Sequence, residues 1–275
     1  MDELEQSYQK MEEHFLSSRS SRYENDKPQL IFVFASPGAG KSSNIKPILN
    51  WQLRPKTIVN LEIDELKTFI PYGANIDKTA NDWFLRLVDR AIEQRRSIVI
   101  FRQRNMLQLK QTFNIYKKAQ NAGYLTQATF LALDKERSRL GMIHRYEFAL
   151  DNTLGGNEID RENYPRRPKF LSHYIFYKAL PVMLNVCSLS KTVDIVNVYD
   201  RNGVRLAYED KKTGQRSSLS ASQALCHERN RVWSPNEISR FNRRRDEAET
   251  KMKEHGRSFF EKLKFHFLTA TPKNK

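Results

Sequence analysis

The chain has 275 residues, enough for one large or two small domains, and 39% apolar with 11% aromatic residues suffice to fill a core. No stretch approaches the roughly 20 uninterrupted apolar residues of a membrane span, and the acidic start Met1-Asp2-Glu3-Leu4-Glu5 lacks the layout of a signal peptide. A cytoplasmic chain with no membrane insertion is therefore expected. Forty-seven Lys and Arg against 32 Asp and Glu give a net charge of +15, which draws the chain toward nucleic acid, phosphorylated metabolites or an acidic protein. Because no aromatic pattern suited to stacking on bases accompanies the charge, nucleic acid is the least expected of these. Cys187 and Cys226 lie far apart without zinc-spaced partners, which predicts buried free thiols rather than a disulfide or a metal site.

Residues 2 to about 21 place Leu4, Tyr8, Met11, Phe15 and Leu16 near helical spacing, which predicts an accessory helix and linker over 1–27 ahead of a main domain over 28–275. The apolar run 30–34 reads as a strand, followed by a helix to about residue 53 in which Pro47 marks a kink or an early stop. Strands at 57–61 and 97–101 flank a helix over about 78–95. A helix over 106–121, a stop at Gly123 and a strand over 125–133 continue the alternation. Helices over 135–151 and 170–187 follow, with Gly155-Gly156 and Tyr164-Pro165-Arg166-Arg167-Pro168 in the loop between them. Residues 193–199 and 204–208 read as strands joined by an Arg201-Asn202-Gly203 turn. At Ser234-Pro235-Asn236-Glu237 a capping box with Pro at the first helical position opens one long basic helix, whose arginines 240, 243, 244 and 245 read as a solvated face. Strands alternating with helices at this spacing give an α/β class: a mostly parallel sheet with helices on both faces, plus an N-terminal and a long C-terminal helix.

Between the first strand and its helix stands Ala35-Ser36-Pro37-Gly38-Ala39-Gly40-Lys41-Ser42. This fits the P-loop pattern G-x-x-x-x-G-K-[ST], in which backbone N–H groups cradle phosphates, the Lys reaches the β and γ groups and the hydroxyl binds Mg²⁺. Ala35 stands where the first glycine would be, leaving Gly38 and Gly40 to supply the unusual dihedrals. Ser36 through Ser43 are the candidate nucleotide-binding residues, with ATP or GTP and Mg²⁺ as cofactors. In open α/β sheets ligands bind beyond the carboxyl ends of the strands, which brings forward Asp64 just past the second strand. A carboxylate there takes a proton from a phosphate acceptor or shares Mg²⁺ with Ser42, although Asp is also a preferred helix N-cap. After the fourth strand Arg137 and Arg145 lie two turns apart, and a fixed guanidinium at Arg145 suits the charge on a transferring phosphoryl group. Arg166-Arg167-Pro168-Lys169 forms a cationic loop that closes over phosphate or stays a solvated turn.

Taken together these ordered segments resemble the zeta toxins, P-loop kinases of bacterial toxin–antitoxin modules, over about residues 28–262. The resemblance rests on the loop at 35–42, on Asp64 through Pro71 after the second strand, on Gly123-Tyr124, on Ser138 through the triplet Arg145-Tyr146-Glu147, and on Trp233-Ser234. It implies a P-loop kinase-like fold and phosphorylation of the 3′-hydroxyl of UDP-N-acetylglucosamine. Lys41 would hold the β and γ phosphates, Ser42 Mg²⁺, Asp64 would be the base, Arg145 would stabilise the transferred group, and Arg166 or Arg167 would supply a second cation. Lys67, Arg102, Arg104 and Glu147 are the candidate acceptor contacts, and an acidic antitoxin is the expected protein partner. This sequence departs from the family at Lys67, where the family has Arg, and at Ile70, where it has His. Phe101-Arg102-Gln103-Arg104-Asn105 replaces the family's E-G-T-x-R. An acidic anchor replaced by arginines suits an acceptor with more negative charge, a nucleotide sugar or another phosphorylated nucleotide. An NTP-binding effector module with little turnover and a nucleic-acid kinase are the two other readings.

Overall fold

The computed structural model describes residues 2–16, 27–41, 45–52, 58–101, 107–154 and 167–270. Six strands form one sheet: β1 (Gln29–Phe34), β2 (Ile58–Leu61), β3 (Ser97–Ile100), β4 (Leu125–Leu131), β5 (Ile195–Tyr199) and β6 (Arg205–Asp210). Their order is β2-β3-β1-β4-β5-β6, with β1 to β5 parallel and β6 antiparallel to β5. Central β1 reads as a continuous apolar run because both its faces are covered. Leu30, Phe32 and Phe34 enter one buried cluster while Ile31 and Val33 enter another on the opposite face, the two-residue period of a strand.

The helices are α1 (Glu3–Leu16), α2 (Lys46–Gln52), the single turn α3 (Ile63–Leu66), α4 (Ile76–Glu93), α5 (Leu109–Asn121), α6 (Lys135–Leu154), α7 (Phe170–Leu189), α8 (Ala221–Asn230), α9 (Pro235–Glu254) and α10 (Phe259–Leu268). Ile45 and Leu49, at and within the start of α2, pack on the Ile31 and Val33 face. On the other face Leu87 of α4, Tyr116 of α5, Leu184 of α7 and Leu225 of α8 join the larger cluster. Helix α1 is part of that core. Tyr8, Met11, Phe15 and Leu16 are buried in it, Tyr8 meets Trp83 edge-on at 5.6 Å, and Glu5 accepts two hydrogen bonds from Arg86 at 2.8 and 3.0 Å.

A third cluster joins α6 to the C-terminal helices through Leu140, Ile143, Trp233, Phe241, Met252 and Phe265. Here the expected single helix after Ser234 is two. Gly256 takes a left-handed φ of 64° beyond α9, and Ser258 caps α10 through a box with Glu261. Helix α8, capped by Ser220 with Gln223, was not foreseen at all. Cys226 is exposed on α8 rather than buried, while Cys187 is buried as expected. The glycine pair at 155–156 and residues 164–166 lie outside the described residues. No described helix is long and apolar enough to cross a membrane.

Candidate active site

The carboxyl ends of β1, β2, β3 and β5 open on one cleft of about 780 Å³. Its floor is the loop after β1, where Gly38 and Gly40 take φ of 76° and 90°. Ala35 is buried with an ordinary negative φ, so this position needs no glycine. The same loop touches α6 backbone to backbone. A Cβ on Gly38 would collide with the Ser138 carbonyl, and one on Gly141 would collide with the Gly38 carbonyl. Two glycines thus let α6 lie directly on the loop and fix the distance from the loop to every cleft-facing side chain of α6. Ser36 Oγ, buried within the loop, has no hydrogen-bond partner among the described residues.

Lys41 lies in the cleft, where burial first and the Arg145 guanidinium second push its pKa down to about 8, against the opposite pull of Asp64 and Glu62. These four side chains therefore share one electrostatic neighbourhood. Glu62, at the N-cap of α3, accepts from Lys46 Nζ at 2.8 Å. Because the cap is Glu62, and makes no side-chain cap bond, Asp64 sits inside the first turn with its carboxylate lining the cleft. That removes the N-cap reading of Asp64. Lys67 lines the mouth and pairs with Asp77 at 2.6 Å. Arg167 lines it from the α7 side and pairs with Glu261 at 3.6 Å. Ser42, Ser43, Arg102, Arg104 and Arg166 lie outside the described residues; Phe101, which precedes two of them, lines the cleft.

Successive α6 residues diverge because two positions turn about 200° around a helix. Gly141, Met142 and Arg145 face the cleft. Glu147, expected as an acceptor contact, faces away. It is buried against the α9–α10 junction, accepting from Arg257 Nε at 3.2 Å and lying 2.8 Å from His255 Nδ1. Arg137 also leaves the site. It is buried in a cluster with Asp134, with Glu228 at 3.5 Å and with Glu237 at 2.8 Å, its guanidinium 5.0 Å above the Trp233 ring. Trp233-Ser234 is accordingly a packing and capping element for α9.

Two cleft residues went unrecognised in the sequence. Arg201, held in the β5–β6 turn by Asp200, and Arg244 of α9 both line the cleft. Burial pushes both below the usual guanidinium range, and each feels neighbouring charge: Arg244 lowers Arg201, whereas Glu247 opposes the fall at Arg244. The sequence alone assigns Arg244 to a solvated helix face; in the fold it lines the cleft. His144, beside Arg145, also lines the cleft and lies 3.3 Å from Glu247; burial and then Arg244 push its pKa down.

The residues present suit a bound polyphosphate: a glycine loop open to backbone approach, an unpartnered buried hydroxyl, and clustered cations whose pKa values are pushed down. Among the described residues no group of three or more His, Cys, Asp or Glu could hold a metal ion. Mg²⁺ at a phosphate site needs only one or two protein ligands, and the Asp64 carboxylate lines the same cleft as the glycine loop.

The zeta toxin family model matches residues 13–213. The chain belongs to the zeta toxin family. Its fold is similar to that of a structure from the PezAT chromosomal toxin–antitoxin system of Streptococcus pneumoniae, at 18% identity and a TM-score of 0.68, covering 90% of this chain and 96% of that one. The AvrRxo1-ORF1:ORF2 complex is also similar in fold, at 13% identity and a TM-score of 0.58, as is the same complex with ATP at 14% identity and 0.60. Each covers 92% of this chain and 85% of that one. No curated protein matches the sequence.

Proposed function

We propose that this zeta toxin family member is a kinase that transfers the γ-phosphate of ATP or GTP to a hydroxyl of a phosphorylated nucleotide, a nucleotide sugar such as UDP-N-acetylglucosamine being the family's acceptor. The observation that carries the proposal is the meeting of Lys41, Asp64 and Arg145 in one cleft on a glycine loop. In this reading Ser36 through Ser43 bind the donor phosphates and Lys41 neutralises the β and γ groups. Ser42 and the carboxylate of Asp64 would hold Mg²⁺, which when bound offsets charge on the leaving diphosphate. Asp64 takes the proton of the acceptor hydroxyl as its oxygen attacks the γ-phosphorus. The bond from that phosphorus to the β–γ bridging oxygen breaks, and the diphosphate leaves with the bonding pair. Arg145, with Arg167 from the α7 side or with Arg166, stabilises the equatorial oxygens. Lys67, Arg201 and Arg244 give the rest of the cleft a cationic lining suited to an acceptor that carries phosphate of its own, and Arg102 and Arg104 are the further acceptor contacts expected from the sequence.

Support for the donor comes from AvrRxo1-ORF1:ORF2, solved with ATP. Support for a toxin under control of an antitoxin comes from PezAT, a toxin–antitoxin system; the net charge of +15 suits an acidic one. Incubation with labelled ATP and a metabolite extract, followed by mass spectrometry, should reveal one new phosphorylated species. Lys41→Ala and Asp64→Asn should each reduce its formation by orders of magnitude without lowering the melting temperature. Equal transfer by either variant would refute the assignment, and nucleotide binding without any product would make the chain a binding module instead.

A further inference from the structure

Helix α10 gathers four exposed large apolar side chains, none of which lines the cleft. Phe259, Phe260, Leu263 and Phe267 are 73, 79, 56 and 84% exposed, whereas monomeric proteins normally leave such side chains exposed singly. At about 100° per residue the four fall within one sector of the helix roughly 100° wide. Lys262 and His266 border that sector on one side and Lys264 on the other. The opposite side is the anchored one. Phe265 is 2% exposed in the cluster with Met252, and Glu261 turns back to cap Ser258 and to pair with Arg167 at 3.6 Å. The helix is therefore fixed to the body by one side and presents a ridge of three phenylalanines and a leucine edged by cations.

We propose that α10 is an interfacial anchor that lies on anionic lipid membranes, with the four apolar side chains inserted at the headgroup boundary and Lys262 and Lys264 on acidic headgroups. Apolar and aromatic residues on one side with lysines at its edges is the pattern of helices that lie in a bilayer interface, and long lysine side chains reach from such edges to the headgroups. The ridge is convex, formed by a single helix. Charge favours this occupant over a second copy of the chain: two molecules of net charge +15 meeting ridge to ridge would set lysine borders against lysine borders. Lys273 and Lys275 follow α10 in the sequence and add to its positive charge. The helix has ten residues and rests on the surface rather than crossing it.

Co-sedimentation of the full chain with vesicles of phosphatidylcholine alone and with roughly 30% phosphatidylserine tests this. At least tenfold stronger partition into the anionic vesicles is expected. The triple variant Phe259→Ser, Phe260→Ser, Phe267→Ser should lose at least tenfold of that partition, while Lys262→Gln with Lys264→Gln should abolish the preference for anionic lipid and its salt sensitivity. All three changed phenylalanines are exposed, so melting temperature and nucleotide affinity should match those of the unchanged chain. A single Phe260→Trp should show blue-shifted emission only with anionic vesicles. Equal partition of the triple variant, absence of binding to either vesicle, or a solution dimer that the triple change dissociates would each overturn the proposal, the last by making the ridge a self-contact.

Discussion

The contact between Gly38 and Gly141 makes a sharp demand on the site. In Gly141→Ala the new Cβ would meet the Gly38 carbonyl, with its carbon at 3.2 Å and its Cα at 3.4 Å. Restoring the 3.0 Å below which real Cβ atoms are essentially never found requires a displacement of about 0.6 Å between α6 and the phosphate loop. Both sides of the contact are backbone, so no side chain can swing aside. Two effects on stability oppose one another. Replacing Gly by Ala inside a helix contributes about 0.5–1 kcal/mol, and overpacking two rigid elements costs about 1–3 kcal/mol. The net is a loss of at most about 2.5 kcal/mol, a shift of several degrees in melting temperature for a chain of this size. The effect on chemistry is larger, because Arg145 is one turn beyond Gly141 and moves with α6 while Lys41 moves with the loop. A misplacement near 1 Å costs about 10²-fold in rate.

Gly141→Ala should therefore weaken nucleotide binding by calorimetry and cut transfer by about two orders of magnitude while the protein still melts cooperatively. Gly123→Ala is the matched control. Nothing lies within 4 Å of its Cβ, but its φ of 84° makes the alanine strained, so it should cost about 1 kcal/mol with nucleotide affinity unchanged. Wild-type affinity in Gly141→Ala would mean that the loop and α6 are not in register, and the spatial basis of the site would fall.

Three further outcomes follow from the charges. With Lys41 at about 8 in the free protein, its ammonium is present below that pH, so nucleotide affinity should be level at neutral pH and fall above pH 8, up to about tenfold per unit; affinity constant to pH 10 would refute it. Arg137→Ala leaves the buried Asp134 without its guanidinium partner, while Glu228 and Glu237 keep Arg231, and should cost about 3 kcal/mol in urea unfolding, whereas Arg145→Ala should cost activity and leave unfolding nearly unchanged. His173, 2.7 Å from Ser138 and pushed down to about 4 by burial, is neutral in the fold but charges in the unfolded chain below about 6.5; unfolding free energy should drop by about 2 kcal/mol from pH 7 to pH 5, and His173→Gln should remove most of that slope.

The sheet and its loop were legible because their signals are local. A continuous apolar run such as Leu30–Phe34 identifies a strand covered on both faces, and Gly38, Gly40 and Lys41 follow it at fixed spacing. Some of what was missed was equally local. Ser220-x-x-Gln223 and Ser258-x-x-Glu261 are the same capping signal that correctly opened α9 at Ser234, and Gly256 stops the helix between them. Glu147 could have been turned away from the cleft by helical phase alone, since it stands two residues beyond Arg145. Gly141 also carried a signal, a glycine within a helical stretch, where only close approach of another backbone repays its cost.

Arg201 and Arg244 carried none, because they reach the cleft from a turn after β5 and from the middle of α9, elements joined to it only by the fold. Their case shows what a net charge of +15 can and cannot say. Arg137 and Arg231 contribute to that sum yet are answered by Glu228 and Glu237 in a compact network, so they hold α6, α8 and α9 together. Lys41, Arg145, Arg201 and Arg244 contribute equally, but the fold gathers them where burial and other cations depress Lys41 and Arg201. A folded protein tolerates such crowding of like charge at a cost in stability, and a polyphosphate entering the cleft would recover it as binding energy. Composition counts both sets alike; only the pairing imposed by the fold separates the arginines that hold the structure from those that face a ligand.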